Sequence, residues 1–112
     1  MDTFEPILPS LARLYVYRKA LALLRLVKQL PASGSLRGQM FAAAESVAGN
    51  IAEGAGQVTL AAKRRHYTIA RGSLFETGSA IDALRLEHDI DVSEIAPLMC
   101  AIERMLTALI RR

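Results

Sequence analysis

The feature that most constrains the fold is a seven-residue repeat of apolar side chains in the middle of this 112-residue chain. Its members are Leu60, Tyr67, Leu74 and Ile81, with Ala70, Thr77 and Leu84 between them. Residues at this spacing form one stripe along an α-helix, which is typical of helices that pack against other helices. The stretch from about 59 to 87 is therefore predicted to be one helix about 40 Å long.

Four helices are predicted in total, at about 10–30, 35–53, 59–87 and 93–110, after an N-terminal arm of residues 1–9. Ser10 and Ser93 are the expected N-cap residues of the first and the last helix. The sequence has no strand-like alternation, no repeated longer segment and no domain boundary, so residues 1–112 are predicted to form a single domain. Because short loops place consecutive helices antiparallel, the predicted class is all-α, an up-down-up-down antiparallel four-helix bundle.

The first predicted helix carries more apolar surface than a lone bundle needs. One stripe consists of Leu14, Tyr17, Leu21 and Leu24, and the other of Val16, Ala20, Leu23, Val27 and Leu30. A helix at the surface of a single bundle buries one apolar face. We therefore expect copies of the chain to associate and to bury the second stripe.

Two glycines, Gly72 and Gly78, lie inside the third predicted helix. A glycine within a helix costs about 1 kcal/mol relative to alanine. The close approach of a neighbouring helix is the favoured explanation, and simple tolerance is the alternative.

The charged residues are unevenly distributed, although the formal net charge is only +3. Residues 11–71 contain ten bases and two acids, whereas residues 72–112 contain four bases and seven acids. A surface polarised in this way attracts polyanions. The sequence shows no membrane-spanning run and no basic leader, and its single cysteine fits a reducing compartment, so a cytoplasmic protein is expected.

The sharpest candidate for a binding surface is the run of three cations Lys63, Arg64 and Arg65. The first predicted helix adds Arg18, Lys19, Arg25 and Lys28. Lysine and arginine neutralise backbone phosphates and release counterions, so binding through them depends on salt and largely ignores nucleotide sequence. For the cluster taken alone, a solvated helix face without a ligand is the alternative.

Polar residues of the second and third helices are predicted to form a structural network across their interface. The expected members are Ser46, Asn50, Glu53, Arg71 and Glu76. A turn near residue 58 would pair Asn50 with Tyr67, Glu53 with Arg64, and Glu45 or Ser46 with Arg71. Such a network would make the packing of the bundle specific rather than supply catalysis.

Catalytic and metal-binding chemistry have little support in the sequence. A triad of Ser46 or Ser73 with His66 and Glu53 can be written, but no strand-turn-helix elbow surrounds these serines. The two histidines are too far apart along the chain to share a metal ion, and no cofactor is expected. Cys100 lies in an apolar run and is predicted to be a packed core thiol.

Two motifs occur at a specific spacing. The first is Ser46-Val47-Ala48-Gly49-Asn50-Ile51-Ala52-Glu53-Gly54, and the second is Ile69-Ala70-Arg71-Gly72-Ser73-Leu74-Phe75-Glu76. Together they resemble the four helix bundle protein family, which includes proteins encoded in 23S rRNA intervening sequences and the accessory variability determinants of diversity-generating retroelements. The resemblance covers roughly residues 13–110. The chain departs from the family pattern at Tyr17, Ala48, Gln57, Lys63 and His66.

The resemblance implies a bundle that assembles as a homopentamer, a ring of five subunits. The retroelement members further imply nucleic-acid binding and, in that genomic context, a reverse transcriptase as partner. The predicted function is thus a non-enzymatic homopentameric scaffold that binds RNA or DNA through basic helix faces. One alternative is a protein-interaction module that binds no nucleic acid, and another is an RNA-processing enzyme that depends on His66.

Overall fold

The computed structural model describes residues 4–112, and every regular element in that range is an α-helix. The helices are α1 (Pro9–Ala12), α2 (Tyr15–Lys28), α3 (Gly34–Ala55), α4 (Leu60–Arg85) and α5 (Ile95–Ile110). The predicted all-α class is confirmed for this part of the chain, and residues 1–3 of the predicted arm lie outside it. None of the helices in residues 4–112 is both long and apolar enough to cross a membrane.

The long helices pack as a bundle that measures 43 × 29 × 23 Å. Both α2 and α4 contact α3 and α5. Hydrogen bonds give the direction of the α3–α4 pair, since Ser46 lies next to Ser73 while Asn50, further along α3, lies next to His66. These two helices therefore run antiparallel.

The α4–α5 pair is antiparallel as well. Arg71 forms a hydrogen bond to Thr107. Gly78, two turns later in α4, lies next to Met99, which is two turns earlier in α5. The end of α5 is therefore brought to the beginning of α4.

The apolar repeat of α4 lies at the centre of the core, as its spacing predicts. The buried members are Tyr67, Leu74 and Ile81, together with Ala70, Thr77 and Leu84. Other helices contribute the fully buried side chains of Leu23, Met40, Ile51, Ile102 and Leu106. Leu60 is half exposed because it is the first residue of α4, where Thr59 Oγ1 caps the helix by accepting a hydrogen bond from the Ala62 N–H at 3.2 Å.

The prediction of one continuous first helix is wrong, because the chain leaves the helical path after Arg13 and starts again as α2. Pro9 begins α1, where the missing N–H is least harmful, and Ser10 lies inside α1 instead of capping it. Arg18 Nε donates a hydrogen bond to the Ala12 carbonyl oxygen at 2.6 Å. A side chain of α2 thus replaces the helical hydrogen bond lost at the break.

The two apolar stripes of α2 differ in burial. Val16, Ala20, Leu23 and Val27 are buried in the core. The residues of the second stripe, Leu14, Tyr17, Leu21 and Leu24, pack against the edge of the core and are only partly buried. This stripe retains surface that a neighbouring copy could cover, and the association of copies stays a prediction.

The beginning of α5 corrects two predictions. Glu94 is the N-cap of α5, not Ser93, whose N–H donates a hydrogen bond to Asp91 Oδ1 at 2.9 Å and closes a turn. This hydrogen bond lowers the pKa of the Asp91 carboxyl. Cys100 is exposed, so the predicted core thiol is wrong: an apolar run covers both faces of a helix, and Cys100 falls on the outer one.

The tightest approach of helices occurs at Gly54, and not at Gly72 or Gly78, where it was predicted. A Cβ atom on Gly54 would lie 2.6 Å from Tyr67 Cε1, which is closer than side chains tolerate. A Cβ on Gly72 would meet no described atom within 4 Å, and one on Gly78 would make an ordinary contact of 3.5 Å with Met99. The Tyr67 ring can therefore pack against α3 only because residue 54 has no side chain.

Candidate nucleic-acid interface

Lys63 belongs to the basic cluster of α4, but its ammonium group is engaged by the protein itself. Its Nζ donates hydrogen bonds to the carbonyl oxygens of Gly54 at 3.4 Å and of Ala55 at 3.1 Å. These carbonyls belong to the last turn of α3, where helical hydrogen bonds end and the helix dipole is negative. Lys63 therefore closes the C-terminus of α3, a role that the sequence pattern does not indicate.

Arg64 and Arg65 retain hydrogen-bond donors that the described residues do not use. Arg65 is exposed and forms no hydrogen bond or ion pair with another described residue. Arg64 is half buried, and its Nε is shielded from solvent without a hydrogen-bond partner in the described part of the chain. These two residues are the members of the cluster that are available to an external anion.

The predicted contacts on α2 differ in their exposure to solvent. Arg18 forms an ion pair with Glu5 and so ties the N-terminal arm to α2. Lys19 is half buried, whereas Arg25 and Lys28 are exposed. Of the four, Arg25 and Lys28 present the most accessible charge.

Two arginines at the end of the chain, Arg111 and Arg112, lie near the basic cluster, although both belong to the segment 72–112, in which acids outnumber bases. Burial raises the pKa of the Tyr67 phenol, and the nearby charge of Arg112 opposes that rise, so the chain end lies close to the start of α4. The antiparallel pairing of the last two helices, already part of the predicted topology, was the signal that could have found them.

Five of the seven acidic residues between 72 and 112 lie at the opposite end of α4. Asp82, Glu87, Asp89, Asp91 and Glu94 are all exposed around the α4–α5 connection. Arg85 is the only lysine or arginine between residues 82 and 94, and it pairs with Asp82 at 3.5 Å. The two ends of α4 therefore carry opposite charge.

A hydrogen-bonded network connects α3 to α4. The Oγ atoms of Ser46 and Ser73 are 2.7 Å apart, and Asn50 Nδ2 donates a hydrogen bond to Ser46 Oγ at 3.0 Å. The Asn50 side-chain oxygen lies 3.3 Å from His66 Nδ1. Two members of the predicted network, Ser46 and Asn50, lie here, while Ser73 and His66 were not among the residues predicted for it.

Arg71 lies outside this network, contrary to the predicted contact with Ser46 or Glu45. Its Nε donates a hydrogen bond to Thr107 Oγ1 at 3.2 Å, and its Nη2 donates one to Glu103 Oε2 at 3.3 Å. Each residue turns a helix by about 100°, so side chains two positions apart point to nearly opposite sides. Because residue 73 faces α3, residue 71 has to face α5.

Glu53 and Glu76 also lie outside the network. Both are exposed, and neither forms a hydrogen bond or an ion pair with another described residue. The predicted pairing of Glu53 with Arg64 fails for the same reason as that of Arg71, since Arg64 is seven residues before Arg71 and shares its side of α4.

The geometry of the network favours a structural role. The Asn50 amide stands between the Ser46 hydroxyl and the His66 imidazole, and an amide does not pass a proton between such groups. Within residues 4–112, no three His, Cys, Asp or Glu side chains are placed so that they could hold a metal ion.

Clefts of different character flank α4. A groove of about 560 Å³ between α3 and α4 is lined largely by small and hydroxyl side chains, among them Ala42, Ser46, Ser73, Ser79 and Ala83. A cleft of about 270 Å³ between α4 and α5 is lined by Thr68, Arg71, Thr107, Ile110 and Arg111. The second cleft therefore has the charge that suits an anion.

Comparison with known proteins identifies the family. No curated protein and no solved structure matches the chain. The model of one family, described as 23S rRNA-intervening sequence protein, matches residues 13–111. This range contains all four long helices, both sequence motifs and the basic cluster. The chain therefore belongs to the 23S rRNA-intervening sequence protein family.

Proposed function

We propose that this protein is a non-enzymatic, oligomeric scaffold that binds RNA or DNA electrostatically through its basic helix faces. In this proposal α1 and α2 together form the first element of an up-down-up-down four-helix bundle. Five copies form a ring-like homopentamer in the cytoplasm. The partly buried stripe of α2 supports this assembly, because a neighbouring copy would cover it.

The observation that carries the proposal is the concentration of arginines where α4 begins and α5 ends. This basic end, as we name it, consists of Arg64, Arg65, Arg111 and Arg112. A ring of five copies would multiply its charge. The resulting field would raise the local concentration of a polyanion and speed its association.

The structure supports an order among the proposed contacts. Arg65 and Arg64 come first, because their donors are not used by other described residues. Arg25 and Lys28 follow because they are exposed. Lys63 contributes mainly through its charge, since its ammonium already binds the carbonyl oxygens at the end of α3. Arg18 and Lys19 also contribute mainly through their charge.

The proposal is tested by filter binding of a labelled RNA and a labelled DNA across a salt series. We expect the affinity to fall steeply with salt, and Arg65→Gln to lower the slope of log affinity against log salt by about one. The matched variant Arg37→Gln removes the same charge near the start of α3 and should leave the slope nearly unchanged. Absence of binding at about 50 mM salt, where phosphate contacts are strong, would overturn the proposal.

Assembly is tested separately by light scattering. We expect the particle in solution to have the mass of five chains. A single chain that persists in concentrated samples would remove both the pentamer and the pooled charge on which strong binding depends.

A protein-interaction module without nucleic acid remains the second candidate, and exposed apolar side chains favour it. Tyr15 is 74% exposed, Phe75 is 54% exposed and Ile69 is 41% exposed. Surface of this kind suits a protein partner, and a reverse transcriptase is the partner expected in a retroelement context. Capture of a partner that survives both nuclease and the double change Arg64→Glu and Arg65→Glu would favour this candidate.

A further inference from the structure

The cleft between α4 and α5 holds two arginine side chains together with two threonine residues. Its lining is Thr68, Arg71, Thr107, Ile110 and Arg111, and its volume is about 270 Å³. Pockets for whole small molecules typically measure about 300–1,000 Å³. This cleft is therefore of a size for one small group rather than for a complete cofactor.

Arg71 is held in position at this cleft without exhausting its donors. Its hydrogen bonds to Thr107 and Glu103 measure 3.2 and 3.3 Å, and its guanidinium lies 4.7 Å from the centre of the Phe75 ring. A guanidinium has five N–H donors, so three remain. The two bonds are longer than the roughly 2.7–2.9 Å of strong charge-assisted hydrogen bonds, so they orient Arg71 and still allow it to bind another anion.

The surroundings of the cleft add further unused positive charge. Arg111 is exposed, and its side chain forms no hydrogen bond or ion pair with another described residue. Arg64 lies on the same side of α4 as Arg71, two turns earlier, and adds its positive charge near the cleft. Glu103, the acid beside the cleft, already pairs with Arg71.

We propose that the α4–α5 cleft binds a phosphate group of an RNA or DNA backbone, with Arg71 and Arg111 as charged donors and the Thr107 hydroxyl as a neutral donor. The inference rests on the proposed function, because its ligand is the nucleic acid invoked there. The Thr107 hydroxyl oxygen accepts from Arg71 Nε, and its own O–H is free to donate to a phosphate oxygen. Contacts of this kind fix the register of the backbone and do not select a base.

The test compares Arg111→Gln and Thr107→Val with the control Arg37→Gln. Arg37 is an exposed cation in the first turn of α3, away from the cleft. Arg37→Gln therefore has the same net charge as Arg111→Gln and leaves the cleft unchanged. Binding of a labelled RNA hairpin and of a DNA duplex is measured at about 50 mM salt. We expect Arg111→Gln to weaken binding about three- to tenfold and to lower the salt slope by about one. Arg37→Gln should change the affinity by less than about twofold.

The variants and ligands separate the outcomes. Thr107→Val keeps every charge, so weaker binding by this variant identifies the cleft rather than the general field. If the three variants bind like one another while the wild type binds well, the cleft is not a phosphate site and the proposed function stands. If the wild type binds neither nucleic acid, the phosphate site and the proposed function are both overturned. Shifts of the Thr107 NMR signals on addition of inorganic phosphate but not of the oligonucleotides would also overturn the cleft as a backbone site.

Discussion

The two sides of α4 meet their neighbours through different chemistry. Towards α3, the contacts beyond Lys63 include small and uncharged groups: a pair of serine hydroxyls, an asparagine with a histidine, and the tyrosine ring against Gly54. Towards α5, they include a long and charged side chain: Arg71 reaches Glu103 and Thr107. The first interface depends on close fit, whereas the second leaves charge and cleft volume for a ligand.

This difference explains why neighbouring residues of one motif do unrelated work. Ala70 is buried in the core, Arg71 faces α5, and Ser73 faces α3. In the motif of α3, Asn50 joins the network and Gly54 admits the tyrosine ring. A compact motif on a helix therefore reports several interfaces at once, because consecutive side chains point in different directions.

The largest change in stability is expected from a substitution that breaks the close fit at Gly54. A methyl group there would meet the Tyr67 ring at 2.6 Å, whereas Gly49 on the same helix has no described atom within 4 Å of such a group. Both variants gain about 1 kcal/mol of helix propensity. Gly54→Ala should therefore be less stable than Gly49→Ala by about 1–3 kcal/mol, the cost of overpacking, in urea unfolding. Equal stabilities would show that α3 and α4 can move apart freely.

The next effect concerns the paired serines. Ser46→Ala leaves the buried Ser73 hydroxyl without its partner, while Asn50 Nδ2 keeps its hydrogen bond to the Ser46 carbonyl oxygen. The lost hydroxyl contact should cost about 1–3 kcal/mol of unfolding free energy. Ser73→Ala should cost a similar amount. Because the hydroxyls bond each other, the double variant should lose less than both single losses together, with a coupling of about 1 kcal/mol. Strictly additive losses would remove the Ser46–Ser73 hydrogen bond from the explanation of this interface.

A smaller effect distinguishes the roles of two nearby cations, Lys63 and Arg65. Lys63→Met should destabilise the protein by about 0.5–1 kcal/mol, because the last carbonyls of α3 lose their cation, whereas Arg65→Met should leave the unfolding free energy nearly unchanged. In filter binding the order should reverse, with Arg65→Met the more harmful change. If Lys63→Met harmed only nucleic-acid binding, its contact with α3 would be unimportant.

The smallest effect is a dependence of stability on alkaline pH. Burial raises the pKa of Tyr67 above its ordinary value, so the folded protein favours the neutral phenol. This contribution is complete below the ordinary tyrosine pKa of about 10 and is lost as the pH rises through the folded pKa. Unfolding measured from about pH 8 to about pH 11 should show a steeper loss for the wild type than for Tyr67→Phe. Parallel curves would contradict the burial of the phenol.

The apolar periodicity was enough to predict the helical class and the buried face of α4. It failed where a helix is interrupted by tertiary contacts, as between α1 and α2, where Arg18 binds the Ala12 carbonyl. It also failed for Cys100, since an apolar run does not say which members face outward. Charge counted along the chain misplaced Arg111 and Arg112, because the basic end forms only when α5 returns to the start of α4.

The sequence by itself determined the features that depend on residues a few positions apart: the helices, the apolar stripe of α4 and the two family motifs. Helical geometry repeats over such short distances, so spacing alone carries this information. Only the tertiary structure decided that Lys63 binds α3, that Arg71 faces α5 and that Gly54 admits a tyrosine ring. These choices depend on the register between helices, and register is set by how complete side chains fit against each other across the bundle.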